Sequence, residues 1–453
     1  MEPPVTGPGS RSGRFSTRNH GSFYTPDSVA RVMAEWASRA RPLGTCKLLD
    51  AGAGGGILAE TALNLMTRSS DLEIHLVESD PVMARLLEID SRDWSGAEQA
   101  QIVTHDRDFF RFASEMLDRG RRFDIVVTNP PYQQLNSSSA EWKFLRSLGI
   151  KVSNAYAAFL WLCTDLLADD GTLIALVPRS FFNGKQFEAL RRHIFNRTSL
   201  TRVHTFESRS AVFKRDDVLQ ETVIVEIRKS IHSPPTIRLS SSSGPDVSDD
   251  QGRLLPTDQV LWPNEYGRVI AVPTQTDPPD RSSWPLLPKA FPTLSIATGS
   301  VVDFRFPHAI RPHGQATDGF VPLIDANFGH LRIRDSSRRP PREITVSDET
   351  QRHIFPPGNY VVLRRFSPKE QRPRLRLQVI RESDCSTEGV AFENHVNVLH
   401  SMKRGLTDET LEGLLPFLQS EDANLQFQAI SGSTQVNVSD LKLLRVPPRD
   451  GNI

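Results

Sequence analysis

The stretch FDIVVTNPPY, residues 123–132, decides how the rest of the chain is interpreted. Its first six residues are mostly apolar and β-branched, which is typical of a buried strand. Two successive prolines donate no backbone hydrogen bonds and restrict φ, so the strand ends there and a stiff turn begins. Ligands bind at the C-terminal ends of strands in open α/β sheets. The turn therefore places a carboxamide, two carbonyls and an aromatic ring where a ligand is expected.

The turn residues Asn129, Pro130 and Tyr132 suit the methylation of an amino group. The side-chain oxygen of Asn129 and the carbonyl of Pro130 can each accept a hydrogen bond from an exocyclic NH2, which makes the nitrogen more nucleophilic. Tyr132 offers a ring on which a planar base can stack. No charged catalyst is needed if the methyl donor is a sulfonium, because a sulfonium is already a strong electrophile. An ordinary strand-ending turn is the alternative for the tetrapeptide alone.

Length and composition set the broad class of the protein. With 453 residues the chain is long for one domain, so two are expected. The 54 basic and 54 acidic residues balance. The three cysteines lie far apart without metal-site spacing, and no apolar segment is long enough to span a membrane. These features predict a cytoplasmic protein with no metal site, and residues 1–20, rich in Pro, Gly, Ser and Arg, are predicted to be a disordered arm.

Strands and helices alternate over residues 21–238, which predicts a doubly wound α/β sheet. The first strand ends in Asp50 and leads through Gly52 and Gly54 into a helix. Glycines let a ligand approach the backbone closely, and a helix N-terminus favours negative charge. Ile57 stands where the dinucleotide fingerprint has its third glycine, so the loop better suits a nucleoside with an amino-acid tail. A tight turn between strand and helix is the alternative.

Acidic residues end the next two strands. Glu78, at the tip of the second strand, can take both hydroxyls of a ribose, or it is simply a solvated strand end. After the third strand, Asp106 and Asp108 compete to hydrogen-bond an adenine ring. Asp108 is favoured because Phe109 follows it directly and can flank that ring.

Two later segments are predicted to lie over the base-binding turn. Residues 137–151 are polar and are predicted to form a flexible loop over the site. Phe213 lies on a loop between two strands, where it can cover the second face of a base stacked on Tyr132. A loop aromatic packed into the core is the alternative for Phe213.

The chain changes character after its first half. Residues 239–252 are rich in Ser with Gly and Pro and predict a linker, and residues 253–453 predict an irregular α+β domain. Residues 331–376 hold 12 lysines and arginines against 5 acidic residues. Because alternate residues of a strand share a face, this excess predicts a surface that grips phosphates, with a solvated charged face as the alternative. The candidate residues of this surface are Arg338, Arg339, Arg364, Arg365, Arg374 and Arg376. Gln435, in a polar segment near the end, is a candidate to contact the backbone or base edges of a nucleic acid, with a solvent loop as the alternative.

The order of these motifs resembles that of the N6-adenine DNA methyltransferases of bacterial restriction-modification systems. The C-terminal half is similar to the PstI/BsuBI type at residues 362–366, 392–397 and 431–437. The spacer between the adenine-pocket motif and the catalytic motif is longer than usual, which keeps Asp106 open as the alternative to Asp108. The residues that match the family's cofactor motifs are Tyr24, Thr25, Pro26, Asp50, Gly52, Gly54, Glu78, Asp108 and Phe109, and those that match its catalytic motifs are Asn129, Pro130, Tyr132 and Phe213.

The resemblance implies a Rossmann-like domain that binds S-adenosylmethionine, followed by a target-recognition domain. It implies adenine in double-stranded DNA as the acceptor, and the base must leave the helix to reach the donor. Transfer is then direct, with Asn129 and Pro130 holding the amino group in line with the sulfonium. A cognate restriction endonuclease that acts separately is the protein partner the family suggests.

Three other functions share parts of the pattern. Asn-Pro-Pro-Tyr also occurs in enzymes that methylate RNA bases or protein glutamines, although the long C-terminal half and Phe213 argue against the glutamine version. A non-catalytic DNA specificity subunit on a methyltransferase fold is a second alternative, against which the intact Asn129, Pro130 and Tyr132 argue. A fused methylase-nuclease is a third, but no nuclease pattern is placed convincingly. The sequence predicts neither the recognition site nor the oligomeric state.

Overall fold

The computed structural model of the chain describes residues 25–66, 71–206, 221–230, 232, 234–243, 252–262, 268–275, 278–312, 319–327, 341–368 and 371–448. The predicted arm, residues 1–20, lies outside these ranges. The chain divides into two compact units, Met1–Thr257 with Glu265–Arg268 and Asp258–Asn264 with Val269–Ile453. Among the described helices, none is both long and apolar enough to cross a membrane.

A large mixed sheet forms the centre of the first unit. Its strands are β1 (Cys46–Ala51), β2 (Leu72–Glu78), β3 (Ala100–Asp106), β4 (Phe123–Thr128), β5 (Leu167–Pro178), β6 (Ser199–Phe206), β7 (Thr222–Arg228), β8 (Thr236–Ser242) and β9 (Arg253–Pro256). They lie in the order β3-β2-β1-β4-β5-β7-β6-β8-β9. The first five strands pair in parallel, and β7 runs antiparallel between β5 and β6. The C-terminal ends of β1 to β4 therefore meet at one edge of the sheet.

Helices cover this sheet and confirm the predicted α/β class. They are α1 (Asp27–Arg39), α2 (Ile57–Met66), α3 (Pro81–Asp90), α4 (Phe109–Asp118), α5 (Ala140–Ser147), α6 (Ala155–Asp165) and α7 (Glu188–Phe195). Helix α1 packs on α2, and α4 packs on α6. In β4 the consecutive residues Ile125, Val126 and Val127 are all buried. Because consecutive strand residues point to opposite faces, both faces of the sheet are covered, as in doubly wound folds.

Two predictions for the first unit differ from the structure. Residues 137–151 contain α5, whose first turn is capped by the Ser139 hydroxyl accepting from the Trp142 backbone N–H at 3.1 Å and whose Leu145 is buried. The predicted linker, residues 239–252, begins inside β8. There the ring of His204 on β6 hydrogen-bonds the hydroxyls of Ser240 and Ser242, at 2.8 and 3.1 Å. The serines thus belong to a paired strand, and the sheet continues to β9.

The second unit is an α+β assembly, as predicted. Its strands are β10 (Leu261–Trp262), β11 (Val269–Ile270), β12 (Leu294–Thr298), β13 (Ile310–Pro312), β14 (Phe320–Ile324), β15 (Arg342–Thr345), β16 (Ile354–Phe355), β17 (Tyr360–Arg364), β18 (Leu377–Ile380), β19 (Val390–Phe392) and β20 (Val396–Ser401). Its helices are α8 (Thr257–Val260, which begins at the boundary between the units), α9 (Leu287–Ala290), α10 (Asp408–Gln419), α11 (Glu421–Ile430) and α12 (Val438–Leu441).

Of the three sheets described in this unit, two lie in the orders β12-β20-β17-β18 and β13-β15-β14-β19-β16, and the third pairs β10 with β11. Strand β17 is buried on both sides. Val361 and Leu363 join the apolar cluster that includes residues of α10 and α11. Tyr360 and Val362 join a second cluster with residues of β19 and β20. The period-two alternation of a strand thus distributes one apolar run between two cores.

Candidate active site

The turn after β4 fixes the carboxamide of Asn129. Its Nδ2 donates to the hydroxyl of Thr25 at 2.9 Å. Its Oδ1 accepts from the hydroxyl of Tyr132 at 3.3 Å. Thr25 is buried and directly precedes Pro26, the residue before α1. Because both ends of the carboxamide are held, its oxygen is oriented away from Thr25. The contact with Thr25 also brings together two motifs that lie far apart in the sequence.

Tyr132 is placed differently from the predicted stacking platform. Its side chain is 8% exposed, its hydroxyl also donates to the Leu176 carbonyl at 3.2 Å, and its ring meets Tyr156 edge-on at 6.2 Å. Burial raises the pKa of Tyr132 well above its ordinary value, so the hydroxyl stays protonated and can act as a donor. Stacking of a base on this ring therefore requires the side chain to rearrange.

The end of β4 is joined to the glycine loop through a side-chain hydrogen bond. The hydroxyl of Thr128 donates to the carbonyl of Ala51 at 2.7 Å. Ala51 and Gly52 are adjacent, so this bond fixes the start of the loop against the residue that precedes Asn129. Pro130 is buried in the same turn. The predicted catalytic and cofactor motifs thus lie side by side at the edge of the sheet.

Glu78 holds the glycine loop. Its carboxylate accepts from the Gly54 N–H at 2.8 Å and from the Asp80 N–H at 2.9 Å. Gly54 has a φ of +53°, which favours glycine, and a Cβ built there would meet nothing within 4 Å. The loop therefore presents open space at Gly54 beside the carboxylate predicted to bind ribose.

Asp50 is enclosed beneath this loop. It is 1% exposed, and its Oδ2 accepts from the Ala59 N–H at 3.2 Å. Its Oδ1 has no hydrogen-bond partner in the part of the chain that the structure describes. Burial, with a contribution from the nearby charge of Glu78, raises the pKa of Asp50 to about 7. The group therefore titrates near neutral pH, unlike an ordinary aspartate.

Asp108 and Phe109 lie at the start of α4, and Phe109 is connected to the same loop through Phe159. The Asp108 carboxylate caps α4 by accepting from the Arg111 N–H at 3.1 Å, and burial raises its pKa. Phe109 stacks on Phe159 with the ring centroids 4.4 Å apart. A Cβ built at Gly52 would lie 3.2 Å from Phe159, so this ring connects Phe109 to the loop.

The alternative acid, Asp106, ends β3 and is exposed. Phe159 is a residue that sequence reasoning missed, since it lies in a uniformly apolar helix that carries no motif. Four predicted site residues lie outside the described ranges: Tyr24, Phe213, Arg338 and Arg339.

Two of the predicted DNA contacts come together in the second unit. The guanidinium of Arg365 donates to the Asn394 carbonyl at 3.1 Å and to the side-chain oxygen of Gln435 at 3.5 Å. Gln435 and Arg376 are exposed, and Arg364 is half-buried at the end of β17.

The prediction that Arg374 grips phosphate is wrong. The side chain is 1% exposed, and its guanidinium donates to three carbonyls, those of Ser367, Ser431 and Ser433, at 3.1, 3.3 and 2.7 Å. It also lies over the Phe427 ring at 4.9 Å. Strand β18 begins at Leu377, so the period-two rule does not apply to Arg374 and Arg376, and the two do not share a face.

The chain is similar in sequence to known proteins along nearly all of its length. Residues 61–213 match the Eco57I restriction-modification methylase family. The chain is 33% identical over 448 residues to the Type II methyltransferase M.BsuBI of Bacillus subtilis, covering 95% of this chain and 88% of that protein. It is 28% identical over 450 residues to the Type II methyltransferase M.PstI of Providencia stuartii, covering 95% and 87%.

A solved structure with a related fold is the Type IIL restriction-modification enzyme MmeI in complex with DNA. The TM-score is 0.52 at 11% sequence identity, over 92% of this chain and 64% of that one, which shows the fold alone. The two sequence relatives confirm the resemblance predicted from the motif order. Because the chain is 33% identical to M.BsuBI over 95% of the chain's own length, it belongs to the family of Type II methyltransferases that includes M.BsuBI and M.PstI.

Proposed function

We propose that this protein transfers a methyl group from S-adenosylmethionine to the N6 atom of adenine in double-stranded DNA, as the modification enzyme of a restriction-modification system. The observation that carries the proposal is the carboxamide of Asn129. It is held by Thr25 and Tyr132 at the end of β4, in a turn whose second residue, Pro130, has a carbonyl but no N–H to donate.

The reaction follows from the acceptors in this turn. An adenine amino group would donate one hydrogen bond to Asn129 Oδ1, sharing or replacing the contact of Tyr132, and one to the Pro130 carbonyl. Both bonds draw electron density onto the nitrogen and orient its lone pair. S-adenosylmethionine supplies a methyl group on a positively charged sulfur, which is a strong electrophile. The proton displaced from the nitrogen would leave to solvent.

The residues around the glycine loop fit this cofactor. Gly54 faces open space, and Glu78 beside it would hold the ribose hydroxyls. Asp50 has a buried oxygen without a hydrogen-bond partner among the described residues, which suits a donor brought by a ligand. Asp108 and Phe109 would hold the adenine of the cofactor, and the half-buried position of Asp108 supports it over the exposed Asp106.

The choice of DNA as substrate is supported by the family and by the second unit. The named relatives are Type II methyltransferases that align with this chain along nearly all of its length, including its second unit. In that unit, exposed or half-buried basic residues remain at Arg364, Arg365 and Arg376. We propose that these residues contact DNA, and that a separate restriction endonuclease cuts the same site when it is unmethylated.

Methyl transfer with three substrates tests the proposal. Wild type, Asn129→Ala and a control, Asn136→Ala, are incubated with labelled S-adenosylmethionine and with unmethylated genomic DNA, RNA or a mixture of proteins. Asn136 is an exposed asparagine of the loop that follows the turn. We expect N6-methyladenine in DNA from wild type and the control, and a loss of about 100-fold or more in Asn129→Ala, as when a fixed group that stabilises a transition state is removed. Labelling of RNA or protein, with DNA left unlabelled, would show that the proposed acceptor is wrong.

A further inference from the structure

Phe366 is an exposed aromatic residue just beyond the end of β17. It is 59% exposed although it follows a strand whose first four residues are buried. A single exposed aromatic is common on protein surfaces and is not by itself a site. The residues around Phe366 distinguish it from an ordinary exposed aromatic residue.

The backbone around Phe366 is held on both sides. The Arg365 N–H donates to the His395 carbonyl at 2.9 Å, and the Val436 N–H donates to the Arg365 carbonyl at 2.7 Å. The Ser367 N–H donates to the carbonyl of Thr434 at 2.8 Å. Phe366 itself forms an antiparallel bridge with Gln435. With its backbone fixed between two neighbouring segments, the ring is presented to solvent from a rigid position.

Groups able to read base edges stand next to the ring. Arg365 precedes it, Gln435 lies opposite it, and the two side chains contact each other at 3.5 Å. Arginine pairs with guanine edges and glutamine with adenine edges in the major groove, while an aromatic ring stacks on any base. A cation, an amide and a ring on one rigid surface form a set suited to nucleic-acid bases.

Buried polar side chains hold the two segments that carry this surface. Arg374 bonds the carbonyls of Ser367, Ser431 and Ser433, and so joins the segment of Phe366 to the segment of Gln435. Asn397 Nδ2 donates to the Val436 carbonyl at 2.6 Å. Supporting contacts of this kind reduce the ordering cost of binding, which is how precise sites are built.

We propose that Arg365, Phe366 and Gln435 form a base-contacting surface, in which Phe366 stacks at a base step that opens in the bound duplex and the two polar side chains read base edges. This inference rests on the proposed DNA methyltransferase function and identifies residues that determine its sequence specificity. It assigns Arg374 a positioning role, through the segments it joins.

The test begins with the wild-type protein. Genomic DNA methylated by it is sequenced to define the methylated motif, and duplexes with that motif are used to measure dissociation constants. The variants are Phe366→Ala, Phe366→Trp and Phe304→Ala. Phe304 is a control because it is also in the second unit and is 75% exposed, with Arg305 near its ring. Circular dichroism checks that all variants are folded.

We expect Phe366→Ala to weaken binding about 5- to 150-fold, the range for losing one aromatic stacking contact, while Phe366→Trp and Phe304→Ala stay near wild type. 2-Aminopurine is placed in turn at each position of the motif other than the target. Its fluorescence should change when wild type binds at one of these positions, and Phe366→Ala should lack that change. Arg365→Lys keeps the charge but loses the paired donors, so it should relax the methylated motif at one position.

The outcomes separate the two proposals. If wild type neither binds nor methylates DNA, the proposed function fails, and this inference fails with it. If wild type methylates a defined motif but Phe366→Ala binds as tightly as wild type, or if Phe304→Ala loses as much affinity, the base-contacting surface is wrong while the function stands. If Arg365→Lys methylates the same motif as wild type without relaxing any position, Arg365 does not read a base edge and that part of the surface is wrong.

Discussion

The hydroxyl of Thr25 accepts a hydrogen bond from the side-chain amide of Asn129 at 2.9 Å, across 104 positions of sequence. Thr25 lies two residues before the start of α1, and Asn129 lies immediately after β4. The segment that leads into the first helix therefore supports the catalytic turn directly. This contact gives Thr25 a function distinct from the cofactor binding that its motif predicts.

Replacing Thr25 by valine tests that support. Valine keeps the shape but cannot accept the hydrogen bond, so the carboxamide of Asn129 loses one of the contacts that hold it. A hydrogen bond of this kind contributes roughly 0.5–1.5 kcal/mol, so we expect kcat to fall about 2- to 13-fold. The KM for S-adenosylmethionine should change little. Steady-state methyl transfer measures both constants.

Thr25→Ser restores the acceptor and is the matched control, so its kcat should return close to that of wild type. A rise in the KM for the cofactor, with kcat unchanged in Thr25→Val, would instead support the predicted cofactor contact.

Much of the first unit could be predicted because its signals are local. The buried strand before Asn129 and the glycine turn after Asp50 are features of backbone chemistry that any fold must respect. Helix α5 was missed because half of its eight residues are polar and Leu145 is its buried residue. Strand β8 was missed because serines read as a linker unless a partner such as His204 is known.

The candidate site was predictable where a residue type at a strand end carries the chemistry, as at Asn129 and Glu78. It was not predictable where the role of a residue depends on which other residues contact it in the folded protein. A charged side chain near other charges predicts a surface, but two of the carbonyls that bury Arg374, those of Ser431 and Ser433, come from a segment distant in sequence. Phe159 carries no motif at all, and its contact with the glycine loop follows from packing.

Two glycines of the cofactor loop should respond differently to alanine. Gly54 and Gly56 both have positive φ, +53° and +77°. A Cβ at Gly54 meets nothing, whereas one at Gly56 would lie 2.5 Å from Leu87 and 2.6 Å from Trp94. We expect Gly54→Ala to lower the free energy of unfolding by about 1 kcal/mol through backbone strain. We also expect it to lower the affinity for S-adenosylmethionine more than Gly56→Ala does. Gly56→Ala should cost an additional 1–3 kcal/mol or so in stability from overpacking.

Isothermal titration with S-adenosylmethionine and urea denaturation, applied to both variants, make this comparison. If the two variants lose the same affinity for S-adenosylmethionine and the same free energy of unfolding, Gly54 does not face the cofactor.

The stability of the first unit should depend on the proton of Asp50. Its pKa is about 7 in the folded protein against an ordinary value of 3.8, because the carboxyl is buried. Between these values the folded protein keeps the proton and the unfolded chain releases it. The contribution of Asp50 to the free energy of unfolding is therefore fully present below about pH 4 and falls as the pH rises to about 7, by up to about 4 kcal/mol.

Urea denaturation of wild type and Asp50→Asn at pH 5 and pH 8 isolates this contribution, since asparagine does not titrate. The decrease between the two pH values should be smaller in the variant. Parallel decreases in both proteins would mean that Asp50 is already ionised at pH 5.

Replacing Arg374 should lower stability, whereas replacing Arg376 should affect DNA binding. Arg374→Met removes three hydrogen bonds from a charged donor and leaves three carbonyls to find new partners. Since each such bond contributes roughly 1.5–3 kcal/mol, the second unit should lose at least about 3 kcal/mol of stability. Arg376→Gln changes an exposed side chain and should alter stability by about 0.5 kcal/mol or less.

Hydrogen exchange of the segment 431–437 and the salt dependence of DNA binding distinguish the two arginines. Exchange should accelerate in Arg374→Met, because the carbonyls of Ser431 and Ser433 lose their anchor, and should be unchanged in Arg376→Gln. If Arg376 contacts a phosphate, its replacement lowers the slope of log affinity against log salt by about one. Slow exchange in Arg374→Met, together with a lower salt slope, would contradict the burial of Arg374 and return it to the phosphate-gripping surface.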